Sequence, residues 1–425
     1  MQKILEMITN GWVELALTAL LVAGLAGCGP GPGEPQIDME KILSQPKTYV
    51  GSKECKVCHL EHYDSWRNTL HSRTLQNVTQ NLDALIAELD PEVIRANLMK
   101  QKDKLKVPVD QVYIPKVSEV KYVIGMQWVQ GFLIEKNGLL YVAPVHYHVE
   151  EDNWTTYHEE NLDKRPWRDY CGGCHAMGVD LENNSFVEPS VGCEACHGPG
   201  SRHVALPETA IFNKRMTIVN PSHLPAGIRT QICGSCHGRG ESKKHDGVYW
   251  PAGYQPGRAL ARFYKMTSYV GGDIKHFYAN EFAKGHRQQY NDWKLSMHAR
   301  EGVTCTSCHY VHRLGVAPTQ FQTKGSGSQQ CLMCHRVINE NMAHSIHSFA
   351  NCVGCHMPRI ATSAESGDLH SHVFVTLLPR DTLSNGKVPN SCQKCHKHKD
   401  TDPATLQEVF DGLTKKSLLK VHRTH

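Results

Sequence analysis

Eight copies of Cys-x-x-Cys-His account for every cysteine of this chain except Cys28. The copies are Cys55, Cys58 and His59; Cys171, Cys174 and His175; Cys193, Cys196 and His197; Cys233, Cys236 and His237; Cys305, Cys308 and His309; Cys331, Cys334 and His335; Cys352, Cys355 and His356; and Cys392, Cys395 and His396. Two thiols at this spacing form thioethers with the vinyl groups of a haem, and the histidine that follows is placed to ligate its iron. Zinc also takes Cys-x-x-Cys pairs, but it does not require a histidine directly after the second cysteine. A disulfide framework belongs in a short secreted domain rather than in 425 residues. The expected cofactors are therefore eight c-type haems.

The sixth ligand decides what such irons do. A haem with histidine on both faces is saturated and exchanges electrons, whereas an open face can bind and transform a small molecule. After the eight motif histidines, 19 of the 27 histidines remain. The candidates for distal ligation are His71, His203, His286, His298, His312, His344, His347 and His372. His203 follows Gly198-Pro199-Gly200, a tight turn that permits close packing beside a porphyrin. His312 lies three residues from His309, too near to reach the opposite face of the same iron, so it would serve a neighbour. His344 and His347, one turn apart, can share a helical face. Each could instead be an exposed or core histidine.

The elements that position these residues are read as mainly α, joined by long loops, with a core formed by stacked haems. Glu61 to Trp66, leading to His71, reads as a helix, and a second starts at Asp90 as N-cap with Pro91 behind it, carrying Val93, Ile94 and Leu98. Between residues 112 and 149 the pattern turns to strands: Val120 to Ile124, Phe132 to Ile134, a Lys136-Asn137-Gly138 turn and Leu139 to Val145, a small β-hairpin insertion. Asp402-Pro403 starts a C-terminal helix with Leu406, Val409, Phe410 and Leu413 on one face. Motif histidines recur at steps of 22 and 40 residues from His175 and of 21 and 40 from His335, and a tryptophan precedes His71 and His298 alike. Both patterns suggest a rearranged internal repeat.

The amino terminus carries Lys3, an apolar stretch from Leu15 to Ala26 and Leu25-Ala26-Gly27-Cys28, which resembles a bacterial lipobox. Cleavage before Cys28 and its acylation would anchor the mature chain to a membrane without spanning it. Residues 1–27 are thus expected as a signal peptide and 28–50 as a flexible tether. Gly29 resembles outer-membrane sorting. Composition agrees with a cofactor-filled interior, because 40% hydrophobic and 8% aromatic residues give a thin core for this length. Sixteen propionates and eight ferric centres would move the net charge from +4 to about −4, so nucleic acid is not an expected partner.

Tyr49 to Cys55 with Trp66 and His71, Val191 to Ser201, and Cys352 to Pro358 resemble the multihaem cytochromes of the c-552/c-554 type. That group is similar in haem arrangement to hydroxylamine oxidoreductase and the multihaem nitrite reductases. The resemblance implies either an electron carrier or an enzyme. The nitrite reductases ligate their active iron through Cys-x-x-Cys-Lys, and no such motif occurs here.

The reading is a multihaem domain over 51–322 with haems 1–5, continued over 323–425 with haems 6–8. It carries electrons between redox proteins or other cytochromes as an exported periplasmic or cell-surface lipoprotein, anchored to the outer membrane. The alternative is an oxidoreductase acting on a small nitrogen or sulfur compound, such as nitrite, hydroxylamine or tetrathionate, at one open haem. A subunit of a filament or oligomer is a third reading, for which surplus histidines such as His422 and His425 leave room.

Overall fold

Asn137 and Gly138 both take positive φ, 52° and 75°, and close a two-residue hairpin in which Lys136 pairs with Leu139. Two left-handed residues in succession match the twist of the flanking strands, which is why Asn-Gly serves there. The computed structural model describes residues 38–269, 275–315, 322–337, 342–363, 369–385, 388–395 and 397–421. Cys28, Gly29, the apolar leader, His396, His422 and His425 lie outside them.

The hairpin is the centre of something larger than the expected insertion. Strands β1 (Leu75–Asn77), β2 (Val120–Ile124), β3 (Val129–Lys136), β4 (Leu139–His148) and β5 (Asn153–Thr156) form one antiparallel sheet in sequential order. The two outer strands are too short to show alternation, so the sequence revealed only the middle of the sheet. Along β3 and β4 the clustered side chains alternate between two faces. Phe132, Ile134, Ala143 and Val145 face one apolar cluster with Trp154, while Leu133, Leu140 and Val142 face a second with Trp167. Helix α1 (Pro91–Met99) covers the first face with Ile94 and Leu98, both fully buried, whereas Val93 points to solvent. Its N-cap is Asp90, whose side chain accepts from the Glu92 and Val93 amides. The second face places Trp167 directly ahead of the Cys171 motif, so the sheet supports that motif.

Elsewhere helices are short, and many are the attachment motifs themselves, such as Glu194–His197, Ala226–His237 and Cys352–His356. Helix α2 (Pro403–Val421) begins where expected, with Asp402 accepting from Ala404 and Thr405. The stretch expected as a tether is described from residue 38. There it carries a helix, Met39–Ser44, and a docked segment in which Thr48 N donates to Ser201 Oγ at 2.9 Å. Among the described residues no helix is long and apolar enough to cross a membrane.

Candidate functional site

One continuous cavity of about 4220 Å3 runs through the chain, and all sixteen motif cysteines line it. A site for one drug-sized ligand occupies roughly 300–1,000 Å3, so this space suits many bulky groups. Its wall is apolar in a way that water would not tolerate. Val57 is 77% exposed, Phe349 71% and Val337 87%, yet all three face the cavity. Leu406, Val409, Phe410 and Leu413 of α2 line it as well. None of the sixteen motif cysteines is joined in a disulfide. Large flat macrocycles, bonded to these thiols and packed on this apolar wall, fit the residues present.

The histidines supply the decisive fit. Metal–imidazole bonds of about 2 Å on opposite sides of one ion set ring centres roughly 6 Å apart. Six motif histidines face a second imidazole at that spacing. His59 faces His203 at 6.3 Å, His197 faces His312 at 6.1 Å, and His309 faces His372 at 6.4 Å, each pair nearly parallel. His237 faces His71 at 6.3 Å, His335 faces His298 at 5.9 Å, and His356 faces His344 at 6.4 Å. None of these partners belongs to the same motif as the histidine it faces.

Several rings are oriented by hydrogen bonds from Nδ1, which leave Nε2 for a metal. His197 Nδ1 donates to Val219 O at 2.8 Å, His203 Nδ1 to Lys214 O at 3.0 Å, and His372 Nδ1 to His370 O at 3.1 Å. Asp292 fixes the His372 segment, accepting from Ser371 Oγ at 2.8 Å and from the His372 amide at 3.2 Å. Burial pushes His71, His175 and His372 down to about 4, so each is neutral near pH 7, the form a metal ligates.

Two of the eight distal candidates are placed differently. His286 approaches His175 closely enough for their charges to interact, but it is not in the set of facing rings. His347 donates from Nδ1 to Ala343 O at 2.8 Å and lies 6.1 Å from the Phe349 ring.

Sequence reasoning missed the groups that hold the motifs in place. Glu194, between the two cysteines of the third motif, is 1% exposed and accepts from the amides of Val50, Gly51 and Gly200. Glu188 holds Ser52 through both its amide and its hydroxyl, at 3.0 and 2.8 Å. The only signal was a carboxylate placed inside a haem motif among glycines.

Two families match parts of the chain: cytochrome c552 over residues 157–349, and cytochrome c554 and c-prime over residues 54–114. The chain is similar to the cytochrome c-552 of Parabacteroides distasonis, 20% identical over 80% of this chain and 69% of that one. The chain is a multihaem c-type cytochrome. Its match to the cytochrome c-552 of Bacteroides fragilis is 24% identical but covers 40% of this cytochrome and only 38% of the relative. In fold it resembles the outer cell wall cytochrome OcwA, with a TM-score of 0.65, 24% identity and 86% of both chains covered. The residues that would hold c-type haems are the motif cysteines and histidines, and such haems, when bound, would supply one-electron chemistry that the cytochrome's own side chains cannot.

Proposed function

We propose that this chain is an exported octahaem electron carrier in which the motif cysteines hold eight haems by thioethers and most irons have histidine on both faces. The observation that carries this reading is the set of facing imidazoles at 5.9 to 6.4 Å. On this reading His203, His312, His71, His372, His298 and His344 are the distal ligands for the motifs of His59, His197, His237, His309, His335 and His356. Ligation on both faces leaves no room for substrate and suits transfer between redox partners. Acylation at Cys28 would hold the carrier to a membrane. The fold neighbour's description as an outer cell wall cytochrome supports a place outside the cytoplasm.

Spin-state spectroscopy of the oxidised holoprotein tests the assignment. These six centres are expected to be low-spin, and His372→Ala is expected to convert one of them to high-spin with the others unchanged. A His372→Ala spectrum identical to that of the parent would remove His372 from the ligand set.

A second reading is supported at the Cys171 motif. There Arg165 lies 3.8 Å over the Tyr170 ring, Tyr170 stacks on Tyr249 at 4.6 Å, and Arg287 Nη1 donates to Tyr249 O at 2.9 Å. Tyr157, His158 and both arginines line the cavity beside Cys171 and Cys174. Two cations and a phenol around one attachment site suit a small oxyanion better than they suit simple electron storage. Adding nitrite, hydroxylamine or tetrathionate in turn separates the readings, because a high-spin signal that shifts on addition supports an oxidoreductase and an unmoved spectrum supports the carrier.

A further inference from the structure

Many of the large apolar side chains that this fold leaves exposed face the cavity, where bound macrocycles would cover them. Phe212 and Met216 are different. They are 76% and 64% exposed, and neither lines the cavity, so filling it leaves both in water. We infer that the face carrying them, made by the helix Ile211–Thr217 and the helix Met39–Ser44, rests on the phospholipid surface that an acylated Cys28 enters. This rests on acylation at Cys28 and adds which side of the protein meets the membrane.

Phe212 and Met216 stand four residues apart, so they share one side of their helix. The opposite side is tied down. Lys214 Nζ donates to His203 O at 3.0 Å, and Lys214 O accepts from His203 Nδ1 at 3.0 Å. These bonds fix the helix with its apolar pair turned outward.

The amino-terminal segment docks on the same strip of chain. Arg202, next to His203, donates from Nε to Gln45 O at 2.8 Å. Thr48 N donates to Ser201 Oγ at 2.9 Å, and Ser201 N donates to Thr48 O at 3.2 Å. The helix Met39–Ser44 ends directly before Gln45, buries no residue and leaves Leu43 exposed. Six residues with no buried side chain have no packing to sustain a helix in water, whereas a lipid interface supplies an apolar phase.

Chain length joins these observations to the anchor. Cys28 lies ten residues before Asp38, and that much extended chain reaches at most roughly 36 Å. Acyl chains at Cys28 therefore hold the docked segment, and the helix beside it, close to the bilayer. Charge agrees, because Lys41, Lys47 and Arg215 are exposed around the apolar residues, against Glu40 and Glu208. An excess of basic groups suits anionic head groups.

The test uses acylated holoprotein on vesicles of phosphatidylethanolamine and phosphatidylglycerol that carry a trace of a diazirine-tagged phospholipid. After illumination, mass spectrometry is expected to find lipid adducts on Phe212, Met216 and Leu43. Amides of residues 211–217 should exchange at least about fivefold more slowly than in unacylated holoprotein exported behind a conventional signal peptide. The double variant F212E and M216E should stay on the vesicles through its acyl chains, keep its haem absorption spectrum and lose both signals. Adducts confined to residues 28–37 or to another face, or equal exchange with and without vesicles, overturn the proposal. So does a dimer of the unacylated protein that F212E and M216E dissociate, because a second copy then covers this face. The mass of the amino-terminal peptide separates the two layers. A peptide without acyl chains removes the anchor and the proposal together, whereas an acylated one with Phe212 and Met216 unlabelled removes the face alone.

Discussion

The sheet region and the haem cradle are built on opposite principles within one chain. Around the sheet, Ile94, Leu98, Phe132, Ala143, Val145 and Trp154 close a continuous apolar cluster made of side chains. In the cradle the remaining clusters are small, such as Val248, Trp250 and Ala252, and large apolar side chains face an open cavity instead. The first region carries its interior in its sequence. On the proposed reading the second borrows it, and its cohesion would depend on covalently bound groups present in the folded state and on ligation that ties distant segments together.

The largest effect that could break this contrast is removal of the cofactor. In a host without cytochrome maturation, the cradle is expected to lose amide protection across residues 160–400, while residues 75–156 keep theirs to a substantial degree. Hydrogen-exchange mass spectrometry reads both regions in one experiment. Equal loss in the two would show that the sheet also depends on haem.

The same contrast explains what could be read from sequence. The Asn137-Gly138 turn, the Asp90 cap and the Asp402 cap are local, and each appears where its residues indicate. The six histidines that face motif rings were all among the candidates, but their pairing depends on the tertiary fold. Only folding brings His71 to His237 across 166 residues of chain. Regular spacing was a poor guide. The steps from His175 and from His335 are nearly equal, yet Cys236 Sγ points at Gly173 O inside the Cys171 motif at 3.9 Å, whereas the Cys352 amide donates to Ser328 Oγ, three residues ahead of Cys331, at 3.1 Å. The structural repeat lies instead in the tryptophan segments, where Trp66 Nε1 donates to Val191 O at 3.0 Å and Trp293 Nε1 to Val303 O at 3.1 Å, each acceptor two residues ahead of a motif cysteine.

Phe132→Ala sharpens the contrast from the side of the sheet. Its ring is fully buried and stacks on Trp154 at 5.6 Å, so truncation should cost about 4 kcal/mol. Protection is expected to fall in residues 75–156 with the haem absorption spectrum unchanged. A changed spectrum would mean that the sheet sets haem geometry beyond its support of the Cys171 motif.

Glu194→Gln probes the cradle, where polar bonds rather than apolar packing hold the docked segment. The amide cannot satisfy three backbone donors as the carboxylate does, and the expected loss is about 2 kcal/mol. It should be confined to release of residues 45–52, read as faster proteolysis there. Release extending to the sheet would indicate that the two regions unfold as one.

Acid provides the smallest and most selective test. On β4, His146 stacks on Tyr157 at 4.4 Å, and its Nε2 is buried without a hydrogen-bond partner. Burial, with His148 and His158 nearby, pushes it down to about 3 from an ordinary 6.5. Above 6.5 the ring is neutral in both the folded and unfolded chain and creates no pH dependence. As pH falls from 6.5 toward 3 the unfolded chain takes up the proton first, so folding weakens by at most about 1.4 kcal/mol per unit. The sheet region should therefore lose protection progressively between pH 6.5 and 4, and His146→Gln should flatten that slope. If the slope survives the substitution, the acid sensitivity belongs to the cradle and its histidines rather than to the sheet.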